Sequence, residues 1–194
     1  GIKLHELTTD MMAAARQAAP AGFPIMVDIT GHWTPLEAAE NARRFEEFDP
    51  YWLEEPIFPM QDHASMARIR RSITTRFAAG ENEYTLKGFD SLMRSGAVDF
   101  VQPQLTKIGG LTMAKKISAL VDLHNAALSP HSFRVGPGAY ANVHWALTEE
   151  KAEWLEIPWV AEDLTFATDI PWLTIADGEV KLPPGSGLGV NVDA

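Results

Sequence analysis

The chain has 194 residues, no cysteine, a formal charge of −10 at pH 7, 46% hydrophobic and 22% charged residues. This composition indicates a globular protein and excludes a disordered chain, a disulfide framework, a thiolate metal site and a thiol nucleophile. An acidic chain without a basic run, and without an apolar stretch of roughly 18 residues, also predicts a cytoplasmic protein with no nucleic-acid and no membrane partner.

Short apolar runs alternate with longer helical patterns, which predicts a parallel sheet with helical crossovers. Seven runs have the length of a strand: 2–5, 23–27, 51–53, 76–79, 98–101, 126–129 and 154–155. Helices are expected at 11–18, from 35 onward, at 111–125 and at 139–149. Right-handed crossovers would wrap these units into most of a barrel. The Gly- and Pro-rich stretch 177–189 predicts an irregular tail or a short hairpin.

Three acids follow three successive predicted strands, namely Asp28, Glu54 and Glu81. Their separations of 26 and 27 residues match one strand–turn–helix unit. In a parallel barrel, such spacing brings the three carboxylates to the C-terminal rim, where active sites lie. Alternatively, each acid caps the helix that follows it or pairs with a surface base.

Converging carboxylates repel one another, and a divalent cation would relieve that repulsion. Ligation by oxygen alone suits a hard ion, so the spacing predicts a Mg²⁺ site, with manganese or calcium as weaker candidates. Glu55 is a rival for Glu54 as the second ligand. Because successive strand residues face opposite ways, only one of the two should face the metal.

Histidines and lysines near the strand ends are candidates for acid–base chemistry. Lys3 and His5 share one face of the first strand, and His131 follows the sixth. Histidine can act as base or acid near neutral pH. The alternatives are an exposed N-terminal strand for the first pair and a loop or core histidine for His131. His32 could line the pocket, whereas His63 is expected at the surface.

Five short motifs occur along the chain in an order and at a spacing that point to one family of proteins. They are Val27-Asp28-Ile29-Thr30, Trp52-Leu53-Glu54-Glu55-Pro56, Ala79-Gly80-Glu81-Asn82, Lys107-Ile108-Gly109-Gly110 and Pro130-His131-Ser132-Phe133. With these motifs the chain resembles the enolase superfamily, in its mandelate racemase and muconate lactonizing branch. The resemblance implies an α/β fold, a modified (β/α)7β barrel with one Mg²⁺ held by Asp28, Glu54 and Glu81. The chemistry it implies is removal of the proton next to a carboxylate through an enediolate.

The resemblance also implies roles for other side chains. Lys3 would polarise the substrate carboxylate, and His5 stands where many members carry a lysine base. His131 would be a base on the other face or an acid for a leaving group, and Glu156 would contact the substrate carboxylate. Gln104 replaces a charged partner of the histidine, which weakens two-base racemisation and favours acid-assisted elimination. The remaining side chains expected near the substrate are Lys107, Asn82 and His32.

The sequence therefore predicts a Mg²⁺-dependent lyase that dehydrates a hydroxylated or sugar acid. A racemase or epimerase using the same enediolate chemistry, and a non-catalytic acid-binding relative, are the alternatives. Residues 1–160 would form the barrel from its second to its eighth strand, and 161–194 a tail packed on an N-terminal capping domain that this chain lacks. We expect a missing N-terminal segment of the same polypeptide and a homo-oligomer.

Overall fold

The computed structural model describes residues 1–133, 136–158, 175–177, 179–182 and 184–190. The main sheet has six parallel strands that pair in chain order, with helical crossovers between them. The strands are β1 (Ile2–Leu4), β2 (Ile25–Asp28), β3 (Trp52–Glu54), β4 (Arg76–Ala79), β5 (Phe100–Val101) and β6 (Ala127–Leu128). The helices are α1 (Thr9–Ala18), α2 (Pro35–Glu46), α3 (His63–Arg70), α4 (Leu86–Arg94), α5 (Leu105–Ile108), α6 (Leu111–His124) and α7 (Pro137–Ala146).

Local sequence signals set where the helices begin and end. The predicted start of α2 is confirmed, because Thr34 and Glu37 form a reciprocal capping box and Pro35 occupies the first turn. Thr85 caps α4 by accepting a hydrogen bond from the backbone N–H of Gly88. α6 ends at Asn125, whose left-handed backbone stops the helix.

Alternation along the strands divides the sheet into two faces. Val27, Leu53 and Phe77 belong to a large core that also contains apolar side chains of the surrounding helices. Their neighbours on the opposite face form a smaller cluster of sheet residues: Met26, Trp52, Ala78 and Phe100. Because residues two apart on a strand point the same way, this inner face also carries Asp28 and Glu54 at the strand ends.

The structure differs from the sequence prediction at its C-terminal end. Residues 154 and 155 form no strand, and only a parallel bridge between Leu128 and Ala152 continues the sheet, so the described residues contain six parallel strands rather than seven. The short hairpin is present as an antiparallel pair, β7 (Ile175–Ala176) and β8 (Glu179–Val180).

The described part of the tail lies against α7. Val180 and Leu188 pack on a cluster that includes Tyr140 and Val143. Residues 159–174 and 191–194 lie outside the described residues, so the division at residue 160 stays a prediction. Within the described part of the chain, every helix is too short or too polar to cross a bilayer.

Candidate active site

Asp28 and Glu54 lie side by side at the ends of two adjacent strands. They are paired in the parallel register of β2 and β3, and both are nearly inaccessible. Lys3, on the neighbouring β1, places its Nζ 2.7 Å from Glu54 Oε1 and 3.5 Å from Asp28 Oδ2. Asp28 Oδ1 accepts hydrogen bonds from the backbone N–H and hydroxyl of Thr30. The strand register and this tight turn therefore fix both carboxylates.

Glu54 is the most deeply buried acid of the group, with no exposed surface. Its Oε2 accepts hydrogen bonds from the Trp52 indole, at 3.0 Å, and from the Gln102 amide, at 2.7 Å. Burial raises the pKa of Glu54, an effect that the Lys3 ammonium opposes and the Asp28 carboxylate reinforces. Lys3 is itself desolvated, but the surrounding carboxylates outweigh that effect and raise the pKa of its ammonium.

Glu81 and His131 face each other across the same end of the sheet. Nε2 of His131 lies 2.5 Å from Glu81 Oε2, and Lys107 donates to the backbone carbonyl of Glu81 at 3.1 Å. Burial favours the neutral acid, yet the hydrogen bond and charge of His131, with Lys107 beyond, lower the pKa of Glu81 to about 2.

Glu156 links the two halves of this cluster. One carboxylate oxygen lies 2.6 Å from Lys3 Nζ, and the other accepts from the backbone N–H of Ser132 and lies 3.6 Å from His131 Nε2. A lysine and a histidine therefore approach one group of carboxylates from two sides.

The shared face of Lys3 and His5 is present in the structure. Nδ1 of His5 lies 3.5 Å from Asp28 Oδ2, the same oxygen that Lys3 approaches, while 56% of the His5 side chain stays exposed. Gln104 is buried and forms a backbone bridge with His131, but its amide donates to Thr106 Oγ1 at 3.0 Å. Among the described contacts, the Gln104 side chain therefore does not bond to His131.

Two other predicted substrate contacts differ in position. Asn82 lies at the cluster, where its amide donates to Glu81 Oε1 at 3.1 Å and approaches the sulfur of Met60. His32 is exposed and its Nδ1 lies 2.6 Å from the carbonyl of Ile29, so the structure does not bring it to the carboxylates in the described contacts.

Several supporting residues are missing from the sequence prediction. Trp52 and Gln102 both donate to Glu54. Alternation along the strand could have revealed Trp52, because it lies two residues before Glu54 on β3. Gln102 lies beyond β5, and only the tertiary structure relates it to Glu54. Glu55, the rival ligand, has its Oε1 on the backbone N–H of Gly80, and burial raises its pKa to about 8.

His63 is buried, so its predicted surface position is wrong. Its Nε2 lies 2.8 Å from Glu83 and its Nδ1 3.1 Å from the Ser91 hydroxyl. Gln61, just before α3, donates to the backbone carbonyl of Asn82. The segment at the start of α3 therefore holds the turn containing Glu81 by two separate hydrogen bonds. These contacts join positions about 20 residues apart, so the local sequence does not reveal them.

The donor set fits a hard divalent cation in its chemistry. Asp28, Glu54 and Glu81 supply only carboxylate oxygens, and the Lys3 ammonium and the His131 ring already lie against them. In the described part of the chain, no three of these side chains converge into a coordination shell. Lys3 and His131 hold the carboxylates instead.

A family model described as "Enolase C-terminal domain-like" matches residues 2–194. The chain belongs to this family. The sequence resemblance is thereby confirmed, and so is the fold, because the six-stranded parallel sheet corresponds to the barrel domain of solved enolase-like structures.

Named relatives of this enolase-like chain divide between several activities. It is 33% identical over 186 residues to the 3,6-anhydro-alpha-L-galactonate cycloisomerase of Streptomyces coelicolor, covering 95% of this chain and 48% of the relative. It is 32% identical over 169 residues to the D-xylonate dehydratase of Haloferax volcanii, covering 84% and 40%. The chain thus spans about half, or less than half, of the length of these curated relatives.

A solved structure described as a racemase from Streptomyces coelicolor A3(2) with bound magnesium has a TM-score of 0.84 to the enolase-like chain. The two are 30% identical over 98% of this chain and 51% of that one. The similarity therefore extends to a protein in which the metal was observed.

Proposed function

We propose that the protein of which this chain forms the barrel is a Mg²⁺-dependent lyase that removes water from a hydroxylated sugar acid. One observation carries the proposal: Lys3 contacts Glu54 and His131 contacts Glu81, and both approach the carboxylate of Glu156 between them. Elimination needs a cation near the substrate carboxylate, a base for the α-proton and an acid for the departing hydroxyl. Two flanking side chains of these types meet that requirement.

Asp28, Glu54 and Glu81 would hold the metal. When bound, Mg²⁺ would supply a fixed divalent charge that stabilises the negative charge developing on the substrate. Trp52 and Gln102 orient Glu54 by donating to one of its oxygens, which leaves the other oxygen for a cation.

The protein's own groups divide the proton transfers between them. His5 or Lys3, on the β1 side, would take the α-proton; where His5 is the base, the ammonium of Lys3 would attract the substrate carboxylate. His131, on the opposite side, would donate the proton that the leaving hydroxyl needs. Gln104 contributes no charge to His131, and the carboxylates of Glu81 and Glu156 that lie against Nε2 suit a ring that gives up a proton to the leaving group of an elimination.

Cycloisomerisation is a second candidate, favoured by the 33% identity to an anhydro-galactonate cycloisomerase. In a 3,6-anhydro acid, the leaving group on the β-carbon is the ring oxygen rather than a hydroxyl. The same proton abstraction and the same acid would then open the ring without loss of water.

A screen of sugar acids and anhydro-sugar acids with the full-length protein tests these proposals. We expect 2-keto acid formation that depends on added Mg²⁺ and is lost in His131→Asn, with Ser118→Ala as a matched control at a buried site on α6. Activity that survives EDTA would remove the metal from the scheme. Solvent deuterium incorporated without loss of water would favour a racemase or epimerase, and Mg²⁺ binding without deuterium exchange on any acid would indicate a non-catalytic relative.

A further inference from the structure

A small cavity lies where the residues after β5, the segment of His131 and helix α7 meet. Its lining includes Gln104, Thr106, His131, Ser132, Gly138 and Asn142, and the space open to the centre of a water-sized sphere is about 10 Å³. That is roughly the room that one water molecule requires. A single ordered solvent molecule is therefore the largest occupant that the cavity admits.

Two residues that line this cavity carry buried polar atoms with no hydrogen-bond partner among the described residues. Asn142 is 2% exposed, and within the described residues neither its amide nitrogen nor its amide oxygen has a hydrogen-bond partner. Nδ1 of His131, a residue 7% exposed, also lacks one there. The Gln104 side chain does not supply the partner for His131 Nδ1, because its amide donates to Thr106. Since buried polar groups are almost always bonded to protein or to ordered water, three such atoms at one cavity indicate a bound water.

We propose that one ordered water occupies this cavity and bridges the Asn142 amide and Nδ1 of His131 by hydrogen bonds. Nε2, on the other side of the ring, lies against a carboxylate oxygen of Glu81. A carboxylate only accepts, so Nε2 carries a hydrogen toward Glu81, and Nδ1 is the ring atom that bonds the water.

Asn142 is thus a positioning residue that acts on His131 through the water. Nothing else among the described contacts holds Nδ1, so the water and its asparagine fix the rotation of the ring that aims Nε2 at the carboxylates. The role of the water in turnover rests on the proposed function of His131, whereas its presence does not.

High-resolution crystal structures of the full-length protein and of Asn142→Leu provide the direct test. We expect a density peak within hydrogen-bond distance of both the Asn142 amide and His131 Nδ1 in the parent protein. The peak should be absent when leucine, whose side chain has the same number of heavy atoms and the same branching, replaces the amide. An empty cavity, or one filled by another side chain, would overturn the proposal.

Kinetics and nitrogen NMR test the consequence for His131. Because a positioned general acid contributes roughly 10²- to 10⁴-fold to the rate, Asn142→Leu should lower kcat by about 10-fold or more, with a smaller change in KM, and should shift the Nδ1 resonance of His131. Asn142→Ser keeps a hydroxyl and leaves room for water, so it should recover most of kcat. Ser118→Ala, which removes a buried hydrogen bond from Trp145 of α7 at another place, should change neither readout.

An unchanged Nδ1 resonance together with an unchanged kcat in Asn142→Leu would refute the positioning role. If the parent protein turned over no acid, the proposed function would fail, while the crystallographic and NMR results would still decide whether the water is present.

Discussion

Gln102 offers a test of how the buried carboxylate of Glu54 is held. Gln102 is 2% exposed and its amide nitrogen donates to Glu54 Oε2 at 2.7 Å, while its amide oxygen has no partner in the described part of the chain. In Gln102→Leu, the donor is lost together with this unsatisfied oxygen. We therefore expect the two effects on the free energy of unfolding to oppose each other.

The magnitudes decide the outcome. Loss of a hydrogen bond to a charged group costs about 1.5–3 kcal/mol, and removal of an unsatisfied buried polar atom returns about 1–3 kcal/mol. Gln102→Leu should therefore change the free energy of unfolding by no more than about 2 kcal/mol in either direction. Trp52→Phe removes the other donor to the same oxygen, and no unsatisfied atom is relieved, so it should cost more.

Urea unfolding of the metal-free full-length protein measures the free energy of unfolding, and calorimetric titration with Mg²⁺ measures the affinity for the metal. Although stability is nearly preserved, Glu54 loses a partner that orients it, so Mg²⁺ affinity should fall by about 10- to 100-fold. A loss of more than about 3 kcal/mol in Gln102→Leu, or an unchanged Mg²⁺ affinity, would refute this account of the Glu54 surroundings.

Three further predictions concern other contacts. His63→Leu removes the buried hydrogen bonds that include Glu83 and should lower the free energy of unfolding by about 1–3 kcal/mol in chemical denaturation; an unchanged midpoint would contradict this. Lys3→Met leaves buried carboxylates without their cation and should destabilise the metal-free protein by about 3–5 kcal/mol, and thermal melts should show partial recovery with Mg²⁺ but none with Na⁺. Glu46 is partly desolvated, but hydrogen bonds from Thr74 outweigh this effect and lower its pKa from 4.5. The stability that the Glu46 carboxylate contributes is therefore present above pH 4.5 and is lost as the pH falls through the lowered pKa. Glu46→Gln should therefore destabilise at pH 7 and have less effect near pH 3, and equal effects at both pH values would count against this assignment.

Much of the site could be anticipated because parallel strands repeat at a fixed interval. The spacing of Asp28, Glu54 and Glu81 follows from the length of the strand–turn–helix unit, and the pairing of Asp28 with Glu54 in the sheet is its direct result. The i and i+2 relation likewise predicted that Lys3 and His5 approach the same side of the sheet, and both lie 3.5 Å from one oxygen of Asp28.

Other parts of the prediction were limited because local patterns do not encode long-range partners. The predicted strand at 154–155 is absent, since an apolar pair of residues does not by itself establish a ladder of hydrogen bonds. His63 looked like a surface histidine because its burial depends on contacts with Glu83 and Ser91, which are 20 and 28 residues away.

The sequence by itself determined the order of the six parallel strands, four of the seven described helices and the carboxylates at the strand ends, because each depends on a local period and on composition. The tertiary structure alone decided which charges meet. It placed Lys3 between Glu54 and Glu156, turned Gln104 toward Thr106 and brought Asn142 to the cavity beside His131. Such contacts depend on how distant segments of the chain pack in space, and a local sequence pattern gives no information on the distance between those segments.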